Sequence, residues 1–163
     1  MKKFLAFTII LPFVLSCDEG LTLPPDVEPG IEGMLTVSGP WAHPDSIDAI
    51  WLFASQIYPL DSALVISGIF QGKIEIFPSL AGSLPIGFDT LSFSFELTPA
   101  TYPYIGVMQW INSNSLDLEN FRVVGVYSDP ISGQPLSVQV GDYEIRRGIN
   151  ISVDFYNLPP QPF

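Results

Sequence analysis

The feature that most constrains this chain is a period of two in its apolar residues. In "LSFSFEL" (91–97), Leu91, Phe93, Phe95 and Leu97 share one side, and Ser92, Ser94 and Glu96 the other. "INISVDFY" (149–156) sets Ile149, Ile151, Val153 and Phe155 against Asn150, Ser152 and Asp154, and "PLSVQV" (135–140) sets Leu136, Val138 and Val140 against Ser137 and Gln139. Side chains alternate across a strand, so each segment has one dry face and one wet face; a helix would scatter the same residues around its axis. Strands of this kind belong to antiparallel sheets that close on a shared core. Further strands are predicted at 33–38, 64–70, 73–77, 102–110 and 121–127. Gln71-Gly72 suits a tight hairpin, and "SDPISGQP" and "LAGSLPIG" read as loops. The expected class is all-β, an antiparallel sandwich or barrel of about seven to nine short strands.

One segment resists the period. "DSIDAIWLFASQIY" (45–58) carries Ile47, Ile50, Trp51, Ala54, Ile57 and Tyr58 at helical spacing, with Pro44 and Asp45 placed to start a helix. Ala49, Leu52 and Phe53 are apolar as well, so a central strand buried on both faces explains the run equally well.

A wider pattern bears on that choice. "IEGMLTVSGPW", then "IDAIWLFAS", then "FSFELTPATYPYIGVMQW" and finally "VGDYEIRRGINISVDF" together resemble the transthyretin-like group of β-sandwiches, which includes the carboxypeptidase regulatory-like domains and is Ig-like in outline. Over residues 31–156 the order of an opening strand with I-x-G, an apolar second strand, a strand ending near "LTPATY" and an alternating last strand is similar to that group. The glycine expected before Thr101 is absent. The resemblance implies that 47–55 is a strand. It implies no activity, because the fold mostly serves as a spacer, accessory or recognition module. The group's hydrolase branch uses several histidines, an arginine and a C-terminal Tyr-Arg-Gly-Ser; this chain has one histidine and ends "NLPPQPF", so that activity is not carried over.

The N-terminus reads as an address. Lys2 and Lys3 precede the uncharged run "FLAFTIILPFVL" (4–15), the pattern of a secretory signal and too short for a stable membrane span. The run meets "VLSC" at 14–17, which resembles the lipobox of bacterial lipoproteins, with Leu15 where alanine or serine is more usual. The resemblance implies removal of residues 1–16 and diacylglycerol attachment at Cys17, the only cysteine. An ordinary signal followed by an incidental lone thiol fits an exported protein less well. Residues 17–30, with "DEGLTLPPDVEPG" after the cysteine, read as a lipidated cysteine and a flexible acidic, proline-rich tether, reaching at most about 40 Å at roughly 3.1 Å per residue. Residues 31–156 form the sandwich domain, and 157–163 a proline-rich tail whose prolines break any closing barrel strand. The expected location is an exported, membrane-anchored one, the outer membrane on its periplasmic or surface face, with the inner membrane as the alternative that Asp18 raises.

Charge narrows the partners. The formal net charge is −11, and four cations after the signal, Lys73, Arg122, Arg146 and Arg147, stand against 17 acids. Such a chain repels nucleic acid and anionic head groups, so its expected membrane contact is the lipid on Cys17, with an envelope protein or a glycan as further partner. No cofactor is expected. Histidine chemistry rests on His43, in the turn "GPWAHPDS", and no Gly-x-Ser-x-Gly occurs, so no catalytic residue is assigned. Acids recur in loops, at Asp45, Asp48, Asp117, Glu119, Asp129, Asp142 and Glu144, without the dense ligand spacing that calcium needs, so no metal site is assigned. The aromatics offer a different chemistry, since rings exposed on a sandwich face stack on sugars or anchor proteins. Trp41, beside Gly39 and Pro40, and Trp110, beside "NSNS", are the candidate ligand contacts. The function expected is a non-catalytic binding or accessory module of the cell envelope, with glycan binding or a structural role in an envelope or secretion complex as alternatives.

Overall fold

The computed structural model describes residues 27–111 and 118–162. The expected signal segment, Cys17, residues 18–26 of the expected tether, Asp117 and Phe163 lie outside the described residues.

Two four-stranded sheets face each other across one apolar layer. The first joins β1 (Gly30–Val37) to β4 (Thr90–Glu96) on one side and to β9 (Ile145–Arg147) and β10 (Ile151–Val153) on the other; the second runs β3 (Ile74–Phe77), β2 (Ala49–Ser55), β6 (Tyr104–Trp110), β7 (Phe121–Val126). A two-stranded ladder pairs β5 (Ala100–Tyr102) with β8 (Val138–Val140). The alternation read from the sequence dictates which residues meet. Phe93, Phe95, Leu97, Ile149, Ile151, Val153 and Phe155 from the first sheet's side enter one core with Ile50, Leu52, Ala54, Ile105, Val107 and Val124 of the second. The molecule is mostly β and sandwich-like.

The ambiguous run resolves as strand. β2 lies between β3 and β6 and is buried along its whole length, which is why both faces are apolar. Pro44, Asp45 and Ser46 start only a single 3-10 turn.

Several expectations are corrected. Residues 64–70 are not a strand: α1 (Ser62–Phe70) is an α-helix. The Asp61 carboxylate accepts a hydrogen bond from Ala63 N at 2.9 Å and caps it. Gln71-Gly72 is the helix C-terminus and not a hairpin, Gly72 taking a positive φ of 67° that serves either purpose. Leu136 is half-exposed because β8 begins only at Val138. The 102–110 strand is two strands: Pro103 has no N–H to continue a ladder, so β5 pairs with β8 and β6 with β2.

The sheets are not wholly antiparallel either, since β9 and β10 both run parallel to β1. They are successive parts of one edge, Gly30 facing Ile145 and Leu35 facing Ile151, so one extra residue is accommodated between them. The extra residue pushes the chain at Gly148–Ile149 toward β1, where Ile149 N donates to Glu32 O at 3.1 Å. A Cβ on Gly33 would stand 1.9 Å from Ile149 O, so only glycine fits.

A buried hydroxyl closes one open side of the sandwich. Tyr102, fully buried, places its Oη 2.6 Å from Glu75 Oε1 and 2.8 Å from Thr98 O, while Thr98 Oγ1 and N also donate to Glu75 Oε1, at 2.8 and 3.2 Å. β3 is thereby tied to the turn between β4 and β5. Burial, and then the Glu75 carboxylate, push the Tyr102 pKa up from 10.0 to about 12. The folded state therefore favours the neutral phenol. Its contribution is complete below pH 10 and is lost as pH rises toward 12. Tyr102→Phe is expected to cost about 1–2 kcal/mol at neutral pH and to flatten the fall in urea midpoint across that alkaline window; an unchanged alkaline slope would refute the assignment.

At the opposite edge the C-terminal segment covers β7. Gln161 Oε1 accepts from Val123 N at 2.9 Å and Gln161 Nε2 donates to Val123 O at 3.0 Å, so one side-chain amide occupies a peptide group of the edge strand. Asp154 fixes the turn into this segment by accepting from Tyr156 N and Asn157 N, both at 2.9 Å, which hold its carboxyl below the usual pKa.

Candidate binding site

The outer face of the β3-β2-β6-β7 sheet is apolar where a sandwich ordinarily meets water. Because β2 is apolar at every second residue on both faces, Trp51 and Phe53 point away from the shared core while Ile50, Leu52 and Ala54 point into it. Tyr104, Met108 and Trp110 of β6 and Phe121 and Val123 of β7 extend the same outer surface.

Half of this surface is an aromatic row. Trp110 faces Phe121 across the β6-β7 ladder, with rings stacked at 5.6 Å and 9°, and Trp51 lies 5.5 Å from Trp110. Trp51 is fully buried. Its indole N–H donates to Ser79 O at 2.9 Å and Gly82 O at 2.7 Å, which draws the loop after β3 over the row.

The other half lies under α1. At the end of β2, Ser55 Oγ donates to Ile57 O at 2.8 Å and accepts from Ile57 N at 3.0 Å, turning the chain out of the sheet. Tyr58 then stacks on Tyr104 at 5.0 Å, and Leu60 packs into the outer cluster before Asp61 opens the helix. Burial, then Tyr58, push the Tyr104 pKa above its ordinary value, so its hydroxyl stays protonated. Val65 and Ile69 face the sheet and join Phe53, Ile74 and Val123. The return is fixed by Lys73 N donating to Gly68 O and Gln56 N donating to Lys73 O, both at 2.8 Å.

Between helix and sheet remains a cavity of about 170 Å³ that opens to solvent. Every described residue lining it is Phe, Leu, Val, Ile or Met. Its mouth is apolar too: Phe70 is 86% exposed, Leu80 55% and Ile66 51%. The helical sequence SALVISGIF carries no charge. Helices apolar on every side are ordinarily buried, and contiguous exposed apolar surface of this kind marks a contact site. With no titratable, nucleophilic or hydrogen-bonding side chain in its described lining, the cavity is suited to hold an apolar group.

The residues singled out in the sequence lie elsewhere or only beside this site. Trp41 is half-buried, its N–H donating to Phe88 O at 3.0 Å and its ring against Phe88 and Phe155, so it belongs to the shared core's rim. Trp110 is half-buried in the aromatic row, next to but not lining the cavity. The two are not brought together on one face. His43 is exposed in the turn before β2, 3.4 Å from the Asp45 carboxylate. The acids are spread out: Asp129 accepts from Ser132 N and Oγ and Ile131 N, which lowers its pKa, and Glu144 pairs with Arg146 at 3.2 Å. Among the described residues no three His, Cys, Asp or Glu converge on a point where a metal could sit, and no helix is long and apolar enough to cross a membrane. Cys17 lies outside the described residues.

Compared with known proteins, the chain matches no family model, no curated protein and no solved structure.

Proposed function

We propose that this chain is an exported lipoprotein, anchored through Cys17, whose sandwich is a transthyretin-like, non-catalytic binding module of the cell envelope, and that it binds through the apolar face formed by α1 and the outer side of the β3-β2-β6-β7 sheet. One observation supports the binding face above the rest: a solvent-open apolar cavity continued by exposed Ile66, Phe70 and Leu80. Leaving these in water forgoes stabilisation that burial supplies at about 25 cal/mol per Å². A chain uses such a surface to bind. The anchor rests on the charged start, the apolar run and "VLSC" of the sequence; the chain's 17 acids, most of them in the domain, keep it soluble and direct its contacts away from anionic surfaces.

The folded full chain is expected to bind 8-anilinonaphthalene-1-sulfonate at this face under native conditions, with a blue-shifted emission. The double substitution Ile66→Ser, Phe70→Ser should remove most of that signal while leaving the thermal midpoint within a few degrees. No native dye binding, or binding indifferent to both substitutions, would defeat this assignment of the face.

A further inference from the structure

We infer that the cavity beside α1 takes a single unbranched hydrocarbon chain, the acyl tail of one lipid molecule, with its polar end left in water. This rests on the reading of the α1 face as a binding surface and names what it binds. The cavity is built in and is not slack packing. Beside it α1 is seated hard against β3: a Cβ on Gly68 would stand 2.9 Å from the side chain of Ile74, which itself lines the cavity. The helix is also fixed at both ends, by the Asp61 cap and by Lys73 N on Gly68 O. The gap therefore persists between Val65 and Ile69 above and Phe53, Met108 and Val123 below.

Size and chemistry select the occupant. About 170 Å³ slightly exceeds the engineered cavity of roughly 150 Å³ that stays dry and accepts benzene, so it encloses about six to eight carbon atoms. The apolar lining then continues outward over Ile66, Phe70 and Leu80, so the occupant is apolar beyond the part enclosed. A sugar would lose its hydroxyl hydrogen bonds inside. A peptide filling the cavity with one side chain would lay its N–H and C=O groups over the apolar lip and give up water on that side. An alkyl chain has no polar group to desolvate along its length. No cation belongs to the described lining, so nothing in it selects an anionic head group, and recognition depends on chain length and not on charge.

The test uses residues 17–163 carrying Cys17→Ser, so that neither the apolar run of residues 4–15 nor a lipid of its own competes, and 1-alkanols from hexanol to dodecanol beside the fatty acids of equal length, each below its aggregation limit and measured by calorimetry. The expected result is a Kd that falls about fourfold per added methylene, equivalent to ~0.8 kcal/mol, then levels off once the enclosed and lip surfaces are covered, with alcohol and acid of equal length agreeing within about threefold. Val65→Trp and Met108→Trp should each fill the cavity and weaken binding more than tenfold without lowering the thermal midpoint. Where Met108→Trp lowers it, Val65→Trp and the lip substitution Phe70→Ser carry the comparison. Affinity independent of chain length, acids binding far more tightly than alcohols, or indifference to the filling substitutions would overturn the inference. So would flotation of the Cys17→Ser chain with phosphatidylcholine vesicles, or a dimer dispersed by Phe70→Ser, when either occurs without alkanol binding. If the anilinonaphthalene dye binds at the face and no alkanol does, only the ligand class fails; if neither binds, the binding face itself fails.

Discussion

Trp51→Ala is expected to cost about 4 kcal/mol, the usual loss when a large buried aromatic side chain is removed, and to lower the thermal midpoint by about 15 °C for a domain of this size. Two effects combine. The indole is fully buried between the sheet and the loop after β3, against Trp110 and Phe121, so its removal leaves a cavity in the aromatic row. The N–H shared by Ser79 O and Gly82 O also disappears, which frees the loop from the sheet. Trp51→Phe separates the two: it restores ring contact without the donor, and should cost about half as much. Chemical denaturation of both variants at neutral pH checks the ordering, and equal losses for Phe and Ala would mean that the hydrogen bonds carry the whole effect.

Gly33→Ala is the second large effect, at about 3 kcal/mol from forced displacement of backbone. The added methyl would stand 1.9 Å from Ile149 O, so β1 and the bulged edge between β9 and β10 could not both keep their registers. The damage is local to the β1 edge. Amide exchange should rise first at Ile149, whose N–H bonds Glu32 O, and along β10, while β2 and β6 stay protected near the global limit. Uniform loss of protection across both sheets would show that this edge is not a separable part of the fold.

How much of this was legible in the sequence varies with the physics behind each element. Strands that bury one face announce themselves, and Phe93, Phe95, Ile151 and Val153 lie inward as the alternation requires. β2 was ambiguous because a strand buried on both faces has no alternation to display; the family resemblance chose correctly for it. α1 was missed for a related reason. Its Leu, Val and Ile residues favour strand, and an apolar residue at nearly every position hides the helical period. The cue was available in Asp61, a helix cap four residues after Ile57, and in the absence of polar residues at every second place from Ser62 to Phe70. That same excess of apolar residues is the trace of the cavity. A helix apolar on both sides has something to bury on both sides, whereas a polar or turn neighbourhood, as at Trp41 and Trp110, does not say whether the ring itself is exposed; both are half-buried.

The parallel pairing of β1 with β9 and β10 had no local signal. Parallel and antiparallel neighbours of a half-buried strand look alike from within one segment, and only the path of the chain decides between them. "IEG" did carry information, but of a packing kind: Gly33 is required by the approach of Ile149, a residue more than a hundred positions away.

The proposed anchor at Cys17 admits one direct measurement. Mass spectrometry of the N-terminal peptide, from protein extracted from membranes of the producing cell, should find a chain that begins at Cys17 and carries a diacylglyceryl group on sulfur. A peptide that begins elsewhere, or one in which Cys17 is an unmodified thiol while the protein fractionates as soluble, would contradict the account at its base.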